Sequence, residues 1–242
     1  MPRLLTGQEV WKSLDTLQVF RQVSGGGSTT AAAAITAGAT AVNFTSTATF
    51  TSGDPLFIVG ASGTELNAIT ATTPTTAVPL LYPAAMANPS GSQLLEAVAT
   101  TLGHVQQGGL VVSPQSPLVP IFSALGHLPV TYIRGYGELS AQFGLLGFNN
   151  LNWQSAFGMT ESDDGVGTIA NPYRAAITGG AVGTQGIQCL RATGTRQDGS
   201  TVIVDLNNCF FAPAGGVNLA RGVETALAIE VRFQSAVIRH YS

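Results

Sequence analysis

The sequence predicts a mostly β fold, and three observations carry that prediction. The runs Ile187 to Thr193 and Thr201 to Leu206 flank the turn Arg196-Gln197-Asp198-Gly199-Ser200. Asp-Gly between two such runs signals a hairpin, because the turn needs a positive φ that glycine adopts without strain. The closing run, Leu227 to Val237, sets Leu227, Ile229, Val231, Phe233 and Val237 on one face and Glu230, Arg232 and Gln234 on the other. One-sided alternation of that kind belongs to an antiparallel sheet that packs on one face only. Finally, short apolar runs recur between residues 31 and 98 at roughly eight- to twelve-residue spacing, the pattern of a small all-β sandwich or barrel.

Composition narrows the function classes. The 242 residues suffice for one large or two small domains, each with a core. Only 10% of them are charged, against roughly 25% in an average soluble protein. Lys12 is the one lysine, and glycines number 29. A surface so poor in charge is usually a surface that something covers, and an extended homo-oligomer is the simplest cover. Membrane insertion is not expected: the longest apolar run, Leu118 to Ile133, is interrupted by Pro120, His127 and Pro129 and falls short of the roughly 20 residues a spanning helix needs. Arg3, Glu9, Lys12 and Asp15 break up the first fifteen positions, so no signal-peptide core is read there. The net charge of −3 and the lack of a Lys/Arg cluster argue against a protein that grips phosphates.

In chain order, residues 4–23 mix apolar and charged positions. Val10, Trp11, Leu14, Leu17 and Val19 fit a short helix, an arm laid on a neighbouring subunit, or a segment packed on its own domain. Gly25-Gly26-Gly27-Ser28 reads as a flexible linker, so residues 1–30 are an arm and linker. Residues 31–100 form the small all-β module, with strands at 41–44, 56–59, 66–69 and 77–81 separated by turns at Ser52-Gly53-Asp54-Pro55 and Ala61-Ser62-Gly63-Thr64. Pro79 marks an edge strand. Residues 101–128 are poorly patterned, with Pro114, Pro117 and Pro120 and one good strand at 109–113. A long Pro-rich stretch in a compact chain is a functional or partner-binding loop. Leu139, Ala141, Phe143 and Leu145 then alternate with Glu138, Ser140, Gln142 and Gly144 as a second one-sided strand. One helix is expected at 149–158, capped by Asn149 or Asn150 and ended by Gly158, with an acidic loop at Glu161 to Gly165. Cys189 and Cys209 lie nearly symmetrically about the Asp198-Gly199 turn and are expected to be cross-strand neighbours, reduced rather than bridged.

These residues carry two resemblances. Gly53-Asp54 before an apolar strand, Thr64-Glu65 in a hairpin and Pro79-Leu80 in a closing strand resemble a small β module that recurs in phage structural proteins. From residue 109 onward, Gly137-Glu138-Leu139, the segment Leu151 to Gly158, Gln197-Asp198-Gly199, Phe211 to Gly216 and Glu224 to Ala236 together resemble the phage tail-tube (major tail) protein family. The resemblance implies two packed antiparallel sheets, a β-sandwich or half-barrel flanked by one α-helix, over residues 101–242, with residues 31–100 as a departure from the family pattern. It also implies a structural virion protein that assembles in the host cytoplasm into stacked, hexameric rings. Sheets of neighbouring subunits would join edge to edge, and the channel would deliver DNA. Its partners would be copies of itself, the tape-measure protein, the tail terminator, and genomic DNA in transit without specific binding. Glu138, Gln142, Glu230, Arg232 and Gln234 are then candidates for the lumen, and Ser113, Pro114, Pro117 and Pro120 for an inter-ring loop. Lysine at both Glu138 and Glu230 would impair DNA delivery and leave tubes intact, because a basic lining holds phosphates.

A capsid decoration or head–tail joining protein is the alternative, equally β-rich and oligomeric; a secreted adhesin-like β protein is a more distant one. Enzymatic readings are weaker. The general-base candidates His104, His127 and His240 lie apart in sequence, and no Gly-x-Ser-x-Gly, His-Glu-x-x-His or Walker-type motif occurs. Asp163 and Asp164 with Asp198 or Asp205 are a poor match to a glycosidase pair. No cofactor or metal site is expected, since the cysteines lack partner ligands at metal-binding spacing and Glu161 to Asp164 does not follow a calcium-loop pattern.

Overall fold

The structure, a computed structural model, describes residues 11–23, 25–46, 50–71, 77–102, 105, 109–115, 118–122, 129–134, 138–146, 186–196, 198–214 and 226–241. Among the described residues sixteen strands follow one another: β1 Trp11–Gln22, β2 Ser28–Thr30, β3 Ala41–Val42, β4 Pro55–Gly60, β5 Gly63–Ala68, β6 Val78–Pro79, β7 Gln93–Thr101, β8 Val111–Gln115, β9 Leu118–Phe122, β10 Pro129–Arg134, β11 Glu138–Leu146, β12 Gln188–Arg196, β13 Thr201–Asn207, β14 Phe210–Pro213, β15 Ala226–Phe233 and β16 Ser235–Tyr241. The fold is mostly β, and every strand pair is antiparallel. The expected helix at 149–158 and the acidic loop at 161–165 lie outside the described residues.

Two sheets face each other. The larger runs β16-β13-β12-β1-β7-β4-β5, with β2 also on β7; the smaller runs β14-β15-β11-β8. Between them Leu17, Val19, Leu190, Ala192, Val204 and Leu206 of the large sheet meet Ala141, Phe143, Leu145, Leu227, Ile229 and Val231 of the small one. Period-2 alternation explains why: Leu17, Ala192 and Val204 lie in one register row, Val19, Leu190 and Leu206 in the next, so each row points the same way. Each valine, leucine, isoleucine or phenylalanine among them contributes about 1.5–3 kcal/mol by leaving water.

The large sheet curls until its ends meet, β5 lying against β13 and β16. Its concave face encloses Phe20, Phe57, Leu66, Leu95, Ala97 and Cys189. A third apolar cluster, including Phe44, Leu56, Ile58, Ile69 and Leu94, lies wholly within residues 31–94. Those residues therefore have a core of their own and a small two-stranded sheet, β3 on β6, while their longer strands β4, β5 and β7 continue the large sheet.

Five expectations change. Residues 11–22 form neither a helix nor an arm on a neighbour; of the three readings, packing on their own domain holds, and they do so as the central strand β1, paired on both sides. Register shifts near Trp11 and Leu14 break the alternation that would have marked a strand. Gly25 to Gly27 is not a free linker but a kink between two strands on the same edge of β7: Val23 N–H donates to Glu96 O (3.0 Å) and Glu96 N–H to Gly27 O (2.8 Å). Within it Gly27 N–H donates to the Glu96 carboxylate (2.6 Å). The stretch 113–128 is not one long loop, for β9 pairs with β10. The closing run is two strands, with β15 in the small sheet and β16 in the large one. Gln234 is the corner, its N–H donating to Asn207 O (3.0 Å). Val237 consequently does not share a face with Leu227 to Phe233; it is the register partner of Asp205 in the other sheet. Finally, Cys189 faces Asn207, not Cys209.

Candidate assembly surface and buried charge cluster

The outer face of the small sheet holds most of the polar positions singled out in the sequence. Ala212, Glu230, Gln142 and Val111 form one register row across it, and Phe210, Arg232, Ser140 and Ser113 the next. Glu230 and Arg232 are two residues apart on β15 and form an ion pair, Arg232 Nε donating to Glu230 Oε1 at 3.3 Å. Glu138 opens β11 opposite Gln115, two residues before Ser140. Gln234 does not join them, because it sits at the corner between the sheets. Of the inter-ring candidates, Ser113 and Pro114 are in β8 and Pro120 is in β9, while Pro117 lies outside the described residues. Proline is tolerated in β8 because that strand is an edge, pairing only with β11.

Edge strands also hold four of the six large apolar side chains exposed among the described residues, the others being Leu81 and Val98. Val111 and Val112 on β8 are 55% and 42% exposed, Phe210 on β14 52% and Ile238 on β16 60%. Edge strands usually carry charge or proline to deter pairing. Here Pro114 on β8, Pro213 on β14 and Arg239 on β16 stand beside exposed valine, phenylalanine and isoleucine.

The largest concentration of charge is buried where the large sheet closes. Arg191 and Asp205 are cross-strand partners in the β12–β13 hairpin. Arg191 Nε donates to Asp205 Oδ1 (2.6 Å) and its Nη2 to Oδ2 (2.8 Å). Burial alone would pull the Arg191 pKa down, but this bidentate bond and the Asp205 charge outweigh it and the pKa is raised. Arg239 on β16 donates to Asp205 Oδ2 as well, and reaches across to Glu65 Oε1 (2.9 Å) and Leu66 O (3.3 Å) on β5. Asp205 and Glu65 are both fully buried. Glu65 also accepts the N–H groups of Ala85 (2.9 Å) and Met86 (3.1 Å). The Tyr82 ring lies 5.0 Å from the Arg239 guanidinium and 5.6 Å from that of Arg191, and Arg191 lies 5.1 Å from the Phe20 ring. Two arginines and two carboxylates thus neutralise one another out of water.

Sequence reasoning considered Asp205 only as half of a carboxylate pair. Its two carboxylate oxygens accept from two arginines. Asp198 is far from it along the hairpin, exposed in the turn, where Ser200 Oγ (2.6 Å) and N–H (2.9 Å) hold its pKa down. Asp163, Asp164, His104 and His127 lie outside the described residues, and His240 is exposed on β16. Among the described residues no group of three or more His, Cys, Asp or Glu side chains converges on a metal position. Cys189 and Cys209 are free and buried. They occupy different cores, Cys189 under the curled sheet and Cys209 in the sandwich. Burial pushes the Cys209 thiol up to about 12 and the Cys189 thiol well above its usual value. Among the described residues no helix is long and apolar enough to cross a membrane. No protein-family model matches the chain, and no curated protein matches it.

Proposed function

We propose that this protein is a structural, non-enzymatic subunit of a phage tail tube, assembling with copies of itself into stacked rings around a channel for DNA. The observation that carries this reading is the pair of open edges on the small sheet. Three antiparallel steps separate β14 from β8, so the two edges run in opposite directions. A β8 edge set beside the β14 edge of the next copy would therefore continue the antiparallel pattern around a ring. Repetition of that contact closes the sheet and removes its edges. Exposed Val111, Val112 and Phe210 would be covered in the joint. The outer face would line the channel, with Glu230 and Arg232 neutralising each other among small neutral side chains, a lining suited to DNA transit without binding. The β9–β10 hairpin takes the place of the long loop in reaching the next ring. Hexameric symmetry, the helix and the tape-measure and terminator contacts rest on the family resemblance alone.

A capsid decoration or head–tail joining protein is the second reading, favoured by the separate core of residues 31–94, the kind of appended body that binds a lattice. Negative-stain microscopy across a concentration series separates the two. Tubes with a regular axial repeat and a central channel support the tail-tube reading. Closed small oligomers or monomers at every concentration overturn it.

A further inference from the structure

We propose that the junction between β5 and the β13–β16 pair is a latch, with Arg239 as its bolt. Through it residues 28–97 part from the C-terminal half as one body while the sandwich stays folded. Every other neighbouring pair in the large sheet is joined by a backbone ladder. Among the described residues no backbone hydrogen bond crosses this one, although β5 touches both β13 and β16. What crosses it is side-chain chemistry: Arg239 to Glu65 and to Leu66 O, and Tyr82 stacked on Arg191 and Arg239.

The distribution of the cores makes such an opening local. The sandwich core draws nothing from residues 31–97, and the cluster within 31–94 draws nothing from outside it. Only the third cluster spans the junction, with Phe57, Leu66, Leu95 and Ala97 on one side and Phe20 and Cys189 on the other. Opening therefore breaches one small core and spares two. The ladder of β7 on β1, Ala97 to Thr101 against Gln18 to Gln22, remains as the hinge. Cooperative units of this sort open below the free energy of global unfolding.

The two native cysteines report on the two cores separately. Cys189 is 0% and Cys209 1% exposed, so each reacts with a thiol reagent only when its own surroundings open. The experiment is native-state labelling of the full-length chain with excess maleimide, reading each cysteine by peptide mass spectrometry and normalising to its rate in the denatured chain. Cys189 is expected to label faster than Cys209 in the wild-type protein. Arg239→Gln should raise the Cys189 rate roughly tenfold or more, the loss of charge-assisted bonds across the junction, and keep Cys189 the faster-labelled of the two. Arg239→Lys, which keeps the charge without the fork, should fall between them. A common rate for both cysteines in the wild type overturns the latch, and that arm stands even if Arg239→Gln does not fold. Equal rates of the two cysteines in a folded variant, or an unaltered Cys189 rate there, overturns it as well.

Discussion

Arg239 Nη2 donates to Glu65 Oε1 at 2.9 Å, joining residues 174 apart in the chain across the one junction of the large sheet that lacks a backbone ladder. The acceptor is fully buried and the arginine side chain is 10% exposed. Removing one partner of a buried pair leaves the other charge out of water without its counter-ion, which typically costs about 3–5 kcal/mol. Arg239→Gln is therefore expected to lose that much in urea unfolding. Arg232→Gln is the control. Its side chain is 62% exposed, and the change should stay within about 0.5 kcal/mol.

The kink between β1 and β2 makes a second prediction. A Cβ added to Gly26 would lie 2.6 Å from Val23 Cβ and 2.9 Å from the Glu96 carboxylate that holds Gly27 N–H. Val23 Cβ is fixed to the backbone and cannot rotate away. Gly26→Ala should destabilise by about 1–3 kcal/mol. Gly186→Ala, with nothing within 4 Å of its added Cβ, should be close to neutral. Thermal melts of the two variants side by side check this.

Acid should weaken the β12–β13 turn. Bonds from Ser200 depress the folded-state pKa of Asp198 below its ordinary value. The folded chain then holds fewer protons than the unfolded one, so this stabilisation is complete above the unfolded carboxylate range and is lost as pH falls through the folded pKa. The gap in melting temperature between wild type and Asp198→Ala should shrink steadily as pH drops below the usual aspartate range. A gap that stays constant would contradict the assignment.

Alkali acts through the cysteines in the opposite sense. Burial raises Cys209 from 9.0 to about 12, so its contribution is present below pH 9 and is lost as pH rises toward 12. Each such thiol adds a slope of up to about 1.4 kcal/mol per pH unit in that window. Urea unfolding between pH 8 and pH 10.5 should show a shallower decline for Cys209→Ala than for wild type, whatever the baseline cost of the cavity.

The strand edges can be tested without touching either core. Val111→Lys and Phe210→Lys place charge on the two free edges of the small sheet, the device by which natural edges avoid pairing. Both positions are more than half exposed, so stability should move by no more than about 0.5 kcal/mol. Sedimentation velocity should show that either change blocks self-association while the melt is unaltered. Undiminished assembly would mean that these edges are not the joint.

Local pattern made much of this architecture legible. The Asp198-Gly199 turn and its two strands appear where the sequence places them, with Gly199 at φ 85°. The alternation in Leu227 to Phe233 does mark the buried face of β15, and that in Leu139 to Leu145 the inner face of β11. Even the Arg191–Asp205 pair was within reach, since both residues are seven positions from Asp198 and the ladder is symmetric about it. Cys189 and Cys209 miss that symmetry by two positions, which in an unbroken strand would keep them on one face; β13 ends at Asn207, and Asn208 at φ 53° breaks the alternation before Cys209.

Other features carried no local signal. Nothing in the alternation of Leu227 to Val237 marks Gln234 as the point where the chain leaves one sheet for another. Register shifts disguised β1, and prolines disguised the β9–β10 hairpin.

What the sequence by itself determined is the strand-forming, one-sided character of its segments, because pleat periodicity and turn chemistry act over a few residues. Only the tertiary structure decided that β1 is central, that residues 31–100 share the large sheet, and that Arg239 meets Glu65. Those pairings join residues far apart in the chain, and their energies come from burial and charge compensation that exist only once the sheet has curled closed.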